Sequence, residues 1–464
     1  MNPEQQPTSS APVTFKQSLI VFTLLMAWLL LTILGWKAEP HIPLLIAAIA
    51  AGIALMIFGQ SWQQVEHAMI KGLHSSVQPA ILLILIGALI AVWMMSGTVP
   101  TLLVYGTEWF QPQWFALSAM LLCMIVSMFV GSSLTTVGTF GVALVGMASS
   151  MGINPTLIAG AVISGACFGD KMSPLSDTTN FASAVAHVQM HDHIRNMTKT
   201  TIPAFILTCI AFILFGHVEH ADTNQLIAMK QVLSDSFHIH LLTQLPLLIV
   251  LIASIRRVPI MLTLLLGIAS GLLVTGLLQG NWDISQWMQV MQNGFHIEIA
   301  DESVARIVNR GGILSMMSSI ILIGIAFAFG GILQHGGIIN ALFSRFIQPI
   351  KRKETLVVST GLSSIGVNFM TGEQYMSILL PGQMFQQEYE RRGIPRLTLS
   401  RTLEDCGTLI NPLIPWGVSG AMMTSALGIS VAEYAPYAFF LWLSPLCTFA
   451  YALLPGLKKR TLNS

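Results

Sequence analysis

Long apolar runs alternate with short polar segments along most of the chain. A run of about 20 residues is what an α-helix needs to cross the hydrocarbon core of a bilayer. The pattern predicts up to fourteen helical membrane segments, some of them re-entrant or broken, at residues 18–36, 42–60, 77–97, 113–130, 133–150, 156–186, 200–217, 241–255, 259–279, 313–334, 355–371, 373–388, 398–420 and 433–455. Two stretches outside these runs, Ser61–Ser76 and Asp283–Arg310, mix Trp, Met or Phe with polar residues and are predicted to be interfacial helices.

The composition agrees with a membrane protein and excludes several soluble classes. Asp, Glu, Lys and Arg make up 9% of the 464 residues, and 53% are hydrophobic, whereas a soluble domain carries about 25% charged residues. The net charge of +1 provides no basic field for phosphate, so no nucleic-acid partner is expected. The sequence contains no nucleotide-binding loop and no hydrolase motif, which argues against an ATP-driven pump and against an enzyme.

The placement of Lys and Arg predicts the orientation, because cytoplasmic loops carry an excess of these residues. With the N-terminus in the cytoplasm and alternating segments, the cytoplasmic side collects Lys16, Lys71, Arg195, Lys199, Arg256, Arg257, Arg345, Lys351, Arg352, Lys353, Arg391, Arg392, Arg396, Lys458, Lys459 and Arg460. The outside collects Lys37, Lys230, Arg306 and Arg310. We therefore expect a multi-pass protein of the cell (inner) membrane with both termini in the cytoplasm.

Two parts of the chain resemble each other. Each has a polar break after an apolar run, GSSLTTVGTFG at 131–141 and NFMTGEQY at 368–375, and a second break further on, GDKMSPLSDTTN at 169–180 and CGTLINPLIPWG at 406–417. The Lys and Arg bias of their loops is opposite, and two similar halves of opposite orientation are typical of secondary transporters.

This pattern predicts the organisation of the whole chain. It comprises a cytoplasmic N-terminal tail at 1–17, two first spans at 18–60, inverted repeat 1 at 77–218, linking spans at 241–279, inverted repeat 2 at 313–457 and a cytoplasmic tail at 458–464.

The breaks also carry the ionisable side chains that are predicted to lie at membrane depth. These are Asp170, Lys171, Asp177, Glu373, Arg401, Glu404 and Asp405. A charge at mid-membrane costs about 2.5–3.5 kcal/mol on insertion scales, so such groups pair with one another or face water. The default function of such a cluster is an ion or proton path.

Asp177 is the centre of the predicted cation site. It follows Pro174 and is surrounded by hydroxyl and amide side chains, which suit a hard cation such as Na+ because hard cations take several oxygen ligands. The predicted cation- and proton-binding residues are Asp177, Asp170, Glu373, Asp405, Ser173, Thr178, Asn180 and Asn411, with Na+ at Asp177. The hydroxyl residues Ser132, Ser133, Thr135 and Thr136 are predicted to contribute to a site within the segment GSSLTTVGTFG, as its hairpin tip.

Lys171, Arg401 and Glu404 are predicted to compensate charge. Two structural interpretations remain open. Arg401 and Asp405, four residues apart on a helix, would neutralise each other, or Lys171 would neutralise Asp170 or Asp177.

The segment GDKMSPLSDTTN resembles the NhaC-type Na+/H+ antiporter family of the ion transporter superfamily, and GEQY at 372–375 is a second marker. The resemblance covers nearly the whole chain. It implies an all-α polytopic membrane protein with two inverted-topology repeats, each with a re-entrant hairpin and a discontinuous helix. The stretch GSSLTTVGTFG resembles the first hairpin tip of the family. The family also includes exchangers of organic anions, such as malate for lactate.

The resulting hypothesis is a Na+(Li+)/H+ antiporter that works by alternating access, in which Na+ and protons compete for Asp177. It requires no cofactor beyond the transported Na+ and H+. The alternative is an organic-acid or amino-acid exchanger coupled to Na+ or H+, in which Lys171, Arg401 and helix N-termini hold a carboxylate. A passive channel is a third class, and the paired broken helices speak against it. The expected partners are the lipid bilayer, Na+ and H+ and, under the alternative, small organic anions; the sequence also allows a homodimer.

Overall fold

A computed structural model describes residues 13–109, 111–216, 223–256, 258–298, 305, 308–344 and 352–453. Several residues on which the orientation was predicted lie outside these ranges: Arg257, Arg306, Arg345, Lys351, Lys458, Lys459 and Arg460. The predicted tail at 458–464 and most of the tail at 1–17 also lie outside them.

The described residues form helices and no strand. The α-helices are α1 Phe15–Leu30, α2 His41–Ile57, α3 Trp62–Ser75, α4 Val77–Met95, α5 Thr98–Trp109, α6 Phe115–Val130, α7 Ser133–Thr136, α8 Val142–Ser150, α9 Pro155–Met172, α10 Asp177–Val185, α11 Met190–Phe215, α12 Thr223–Ser236, α13 Leu245–Ile255, α14 Ile260–Leu278, α15 Ile284–Asn293, α16 Met317–His335, α17 Ile338–Ser344, α18 Lys353–Thr371, α19 Gln374–Arg391, α20 Arg396–Leu403, α21 Val418–Leu427, α22 Val431–Tyr434 and α23 Phe439–Leu453. Three π-helical turns occur at Leu31–Gly35, Val137–Gly141 and Glu404–Thr408, and short 3-10 turns at Pro112–Trp114, Leu241–Gln244, Ile313–Met316, Asn411–Leu413 and Ala435–Tyr437.

The helices confirm the predicted all-α membrane architecture. Six of those described are long and apolar enough to cross a bilayer, and the number rises to eight if each of two bent helix pairs is one span. The predicted maximum of fourteen segments is larger in part because His41–Ile57, Ser133–Ser149 and Val418–Leu427 are apolar but only 10–17 residues long. The six helices are Phe15–Ile33, Trp62–Met95, Pro112–Val130, Met190–Phe215, Ile260–Leu278 and Ile313–His335.

The stretch Ser61–Ser76 differs from its prediction as an interfacial helix. It forms α3, which α4 continues after one turn residue, and it packs against α16. A Cβ atom on Gly72 would lie 2.2 Å from the carbonyl oxygen of Phe327, so only glycine permits this approach of the two backbones. The stretch therefore belongs to the helix bundle. In the second stretch, α15 buries Val290 and exposes Ile284 and Met288, as an interfacial helix does.

The two halves contain the same order of elements around their breaks. Helix α6 ends at Gly131 and helix α18 at Gly372, both glycines in the left-handed conformation with φ of +70° and +67°. A short turn then leads into the next helix, and we name these turns tip 1 (residues 131–136) and tip 2 (residues 371–376). Further on, a helix is interrupted at break 1 (residues 173–176) in the first half and at break 2 (residues 409–417) in the second. The shared order agrees with a repeat, while the opposite orientation of the halves stays a prediction.

The packing of α6 on α9 fixes the position of the first acidic residue of the site. A Cβ atom on Gly165 or Gly169 would lie 2.0 Å from the carbonyl oxygen of Met120 or 2.3 Å from that of Met124, respectively. The two backbones are therefore in direct contact along this pair. Because Asp170 directly follows Gly169 near the end of α9, its backbone is held beside one of these close contacts.

Candidate functional site

A cavity of about 1050 Å³ lies where tip 1, tip 2 and break 1 meet. Residues of helices α3, α4, α10, α13, α14, α16 and α21 also line it. Of the residues predicted for the site, the cavity is lined by Ser132, Ser133, Thr135, Asp170, Asp177, Thr178, Asn180 and Glu373. Three carboxylates from two distant parts of the chain, Asp170 and Asp177 in the first and Glu373 in the second, therefore share one space.

Asp170 joins tip 1 to α9. One carboxylate oxygen of Asp170 accepts hydrogen bonds from the backbone nitrogen of Ser133 at 2.9 Å and from its hydroxyl at 2.7 Å. Gly131 allows tip 1 to approach break 1 closely, since a Cβ atom there would lie 2.7 Å from the Cβ atom of Leu175. Tip 1, the end of α9 and break 1 thus form one connected wall of the cavity.

The other hydroxyl residues of tip 1 bond mainly to one another. The Ser132 hydroxyl caps α7 by accepting from the backbone nitrogen of Thr135 at 3.2 Å and from its hydroxyl at 3.0 Å. The Thr136 hydroxyl donates to the carbonyl oxygen of Ser132 at 3.0 Å. Thr136 is fully buried and does not line the cavity. These bonds stabilise the turn and keep the tip in place.

Asp177 is the carboxylate with the fewest protein contacts. It begins α10, directly after the N-cap residue Ser176, and its side chain is exposed to the cavity. Within the described residues it makes no hydrogen bond and no ion pair. A carboxylate in the first turn of a helix is stabilised by the helix dipole, and its oxygens are available to a cation.

Ser173 of break 1 and Asn180 of α10 satisfy the backbone of the break. The Asn180 amide donates to the carbonyl oxygens of Pro174 at 3.1 Å and Ser176 at 2.7 Å. The Ser173 hydroxyl accepts from the backbone nitrogen of Leu175 at 3.2 Å; Ser173 is fully buried and does not line the cavity. Asn180 therefore remains a lining residue, whereas Ser173 shapes the turn behind it.

Glu373 reaches the same cavity from tip 2. It is the N-cap residue of α19, and its carboxylate accepts from the backbone nitrogen of Met376 at 2.7 Å. Asn411, also predicted for the site, is fully buried behind tip 2 and does not line the cavity. Its amide nitrogen donates to the Asn368 side-chain oxygen at 2.7 Å and to the carbonyl oxygen of Gly372 at 3.0 Å.

Lys171 pairs with Asp405, an outcome that neither open interpretation contained. Both side chains are fully buried and neither lines the cavity. One Asp405 oxygen contacts the Lys171 ammonium and accepts from the Ser444 hydroxyl at 2.9 Å. The other accepts from the Thr200 hydroxyl at 2.9 Å and from that of Thr448. All the groups around Asp405 are donors, so its charge is satisfied without a transported ion.

Arg401 does not neutralise Asp405, although the two residues are four positions apart. Its guanidinium stacks on the Tyr451 ring, with 4.6 Å from the central carbon to the ring centroid, and it forms no ion pair with a described carboxylate. Glu404 is fully buried; one of its oxygens accepts from the Thr178 hydroxyl at 3.3 Å and the other has no partner among the described residues. Of the three residues predicted to compensate charge, Lys171 is therefore the one that forms an ion pair.

Several lining residues were not predicted from the sequence. Helices outside the breaks supply polar side chains to the cavity, namely Lys71, Gln78, Thr263 and Gln334, and tip 2 adds Gln374 and Tyr375. The four helix residues share no local motif, whereas Gln374 and Tyr375 belong to the GEQY segment and directly follow Glu373. A polar residue at the end of an otherwise apolar helix is the sequence signal that could have identified some of these lining residues, and Gln78 and Gln334 are examples.

Comparisons with known proteins agree with this architecture. A family model described as the Na+/H+ antiporter family matches residues 165–455. The Na(+)/H(+) antiporter NhaC of Alkalihalophilus pseudofirmus is 48% identical over 445 residues, which cover 95% of this chain and 96% of the relative. The Na(+)/H(+) antiporter NhaC of Bacillus subtilis is 44% identical over 441 residues, which cover 94% and 97%.

A third relative carries a different printed activity. The malate-2H(+)/Na(+)-lactate antiporter of Bacillus subtilis is 33% identical over 400 residues, which cover 86% of this chain and 84% of the relative. Because the family model matches more than half of the chain and the NhaC relatives are similar over nearly all of it, the chain belongs to the Na+/H+ antiporter family.

Proposed function

We propose that the protein is a secondary active transporter that exchanges cytoplasmic Na+ or Li+ for external protons across the cell (inner) membrane by alternating access. The observation that carries the proposal is the cavity that brings Asp170, Asp177 and Glu373 together inside an apolar helix bundle. Close relationship to two proteins named Na(+)/H(+) antiporter NhaC supports the choice of ions.

Asp177 is the proposed centre of the Na+ site. It has no protein partner among the described residues, and Thr178 and Asn180 add hydroxyl and amide groups beside it. Na+ takes several oxygen ligands, while a proton occupies one carboxylate oxygen. Competition of the two for the same carboxylate produces exchange, because the binding of one releases the other.

Asp170 and Glu373 are proposed as the assisting carboxylates. Each keeps hydrogen bonds to a tip, so a cation between them and Asp177 would contact both halves of the protein. Asp405 contributes indirectly in this proposal, because its oxygens already receive Lys171 and three hydroxyl donors.

The orientation of the cavity follows from the predicted topology, with both termini in the cytoplasm. Lys71, Ser254, Pro259 and His335 line the cavity at helix ends that this topology assigns to the cytoplasmic side. The proposed state is therefore open to the cytoplasm and ready to take up Na+ there. The opposite orientation of the two repeats and the domain limits predicted above form part of this proposal.

The charge of the cavity favours cations over organic anions. The alternative hypothesis needs Lys171 and Arg401 to hold a carboxylate, and neither of them lines the cavity. Lys71 is the one Lys or Arg among the lining residues of this cavity, against three carboxylates. The proposal therefore assigns Na+ and H+ as ligands, with no cofactor and no enzymatic step. A homodimer remains a prediction from the sequence.

The first experiment compares wild type and Asp177→Asn in proteoliposomes with an interior pH dye. Wild type is expected to move protons in response to a Na+ gradient, and Asp177→Asn is expected to lose this response because the amide carries no charge to balance Na+ and does not exchange a proton. Asp235→Asn is a control, since Asp235 is exposed and lies outside the cavity. Wild-type exchange by Asp177→Asn would remove Asp177 from the site.

The same preparation distinguishes the alternatives. Competition predicts that the KM for Na+ rises as pH falls, whereas a KM independent of pH would contradict a shared site. Na+, Li+, K+, malate, lactate and amino acids should be tested in parallel. Saturable counterflow of an organic solute, with no Na+-driven proton movement, would establish the organic exchanger instead. Flux that shows no counterflow would indicate a channel.

A further inference from the structure

The peptide that joins Gly372 and Glu373 is held at both ends. Its carbonyl oxygen, on Gly372, accepts from the Asn411 amide at 3.0 Å and from the Val418 backbone nitrogen at 2.9 Å. Its backbone nitrogen, on Glu373, donates to the Thr371 hydroxyl at 3.2 Å. Because a peptide unit is planar, these three bonds fix the plane from which the Glu373 side chain leaves the backbone.

The two donors to the carbonyl come from break 2 and the helix that follows it. Asn411 belongs to break 2 and Val418 is the first residue of α21. The Asn411 side-chain oxygen accepts from the Ser419 backbone nitrogen at 2.7 Å. Gly372 permits the approach, since its φ is +67° and a Cβ atom there would lie 2.8 Å from the carbonyl oxygen of Trp416. Hydrogen bonds from Asn411 and Val418 therefore hold tip 2 at Gly372, the residue before Glu373.

A second amide completes the network. The Asn368 side-chain oxygen accepts from Asn411 at 2.7 Å, and the Asn368 amide donates to the carbonyl oxygen of Gly407. Asn368 and Asn411 are both fully buried. Every hydrogen bond that Asn411 forms is thus made inside the protein, and its side chain has no access to the cavity.

We propose that Asn411 is a positioning residue, which holds Glu373 in the cavity through the Gly372 carbonyl, and that it does not itself bind the cation. The inference rests on the proposed function, because it assigns Asn411 a task in Na+ exchange. The physical reason is that the Asn411 side chain does not line the cavity, so it affects the cation only through the Glu373 carboxylate. The fixed peptide plane directs that carboxylate toward the cavity. A small misplacement of a ligand is sufficient to weaken binding and exchange.

The test is a double-mutant cycle of Asn411→Ala and Glu373→Gln, read as the KM for Na+ in proteoliposomes. Asn411→Ala is expected to raise the KM about tenfold, since one ligand is no longer directed to the ion. In the Glu373→Gln background the same substitution is expected to change the KM by less than about twofold, because the group that it positions is already gone.

Asn196→Ala is the matched control for the loss of a buried amide. The Asn196 amide donates to the carbonyl oxygen of Leu397 at 2.7 Å, away from the cavity. This variant is expected to lower the melting temperature and leave the KM for Na+ unchanged. If Asn411→Ala folds poorly, Asn411→Asp is the second variant. It preserves the side-chain volume and the acceptor for Ser419, but it places a carboxylate oxygen against the Asn368 side-chain oxygen and the Gly372 carbonyl oxygen. It is expected to raise the KM for Na+ in the same way.

Two results would overturn the inference. One is an unchanged KM in both Asn411 variants, which would limit the residue to stability. The other is an equal increase in the wild-type and Glu373→Gln backgrounds, which would make Asn411 an independent ligand. Failure of the proposed function is recognised separately, because in that case wild type shows no Na+-driven proton movement.

Discussion

The buried pair of Lys171 and Asp405 gives the sharpest prediction about stability. Removal of one partner of a buried ion pair costs about 3–5 kcal/mol, because the other charge is left uncompensated in the interior. The two sides of this pair are unequal. Asp405 accepts from three hydroxyl groups besides the lysine, whereas Lys171 has the Ser444 hydroxyl at 3.0 Å and the Phe440 ring at 5.8 Å.

This asymmetry predicts an order for the variants. Lys171→Met leaves a carboxylate that keeps its hydroxyl donors, so we expect the free energy of unfolding to fall by about 3 kcal/mol. Asp405→Asn leaves an ammonium with no counter-charge, so we expect the free energy of unfolding to fall by about 5 kcal/mol. The two losses sum to about 8 kcal/mol, but the double variant buries no charge and should lose at least about 3 kcal/mol less than the sum.

Thermal unfolding of the purified protein in detergent measures this order. Wild type is expected to melt at the highest temperature and Lys171→Met above Asp405→Asn, while the double variant is expected to melt well above the temperature that corresponds to the sum of the two losses. The control is Arg391→Met, which removes an exposed partner of Glu388 and should cost no more than about 1 kcal/mol. A double variant that melts at the temperature expected from the sum would refute the pairing, and so would single variants that melt like wild type.

Two further predictions concern tip 1 and the orientation. Gly131→Ala should lower the rate of Na+/H+ exchange about tenfold or more, because the added Cβ atom meets Leu175. Gly152→Ala is the control: Gly152 has a similar φ of +68° and open space around it, so this variant should leave exchange intact. Equal rates in the two variants would contradict a role for the close approach of tip 1 to break 1. In a background without the native cysteines, Lys37→Cys should react with an impermeant thiol reagent from outside and Arg391→Cys only from the cytoplasm; labelling of both from one side would contradict the predicted topology.

The sequence was informative wherever a property is local. The apolar runs predicted an all-α membrane protein, because each backbone polar group within a bilayer needs an internal partner and a helix supplies it. The proline residues and hydroxyl clusters marked the breaks, and the breaks indicated Asp170, Asp177 and Glu373 as candidate ligands. The presence of these three carboxylates in one cavity agrees with that prediction, and their roles as ligands await the transport assays.

The number of crossings was less well determined. Up to fourteen segments were predicted, whereas six to eight described helices or bent pairs meet the length and hydropathy of a span. A sequence window does not distinguish a full crossing from a helix that ends at a tip. Gly131 and Gly372 end α6 and α18 in the left-handed conformation; α6 meets the length and hydropathy of a span, whereas α18 does not.

The sequence by itself determined that the protein lies in a lipid bilayer, where its helices and breaks are, and to which family it belongs, because these properties depend on residues close together in the chain. The tertiary structure decided the partners. It paired Lys171 with Asp405 rather than with a neighbouring carboxylate, left Arg401 on an aromatic ring, and placed Asn411 behind Glu373 instead of in the cavity. The physical reason is that the energy of an ion pair or a buried hydrogen bond depends on atomic distance, and these partners, which lie 39 to 234 positions apart in the chain, meet only when the helices pack.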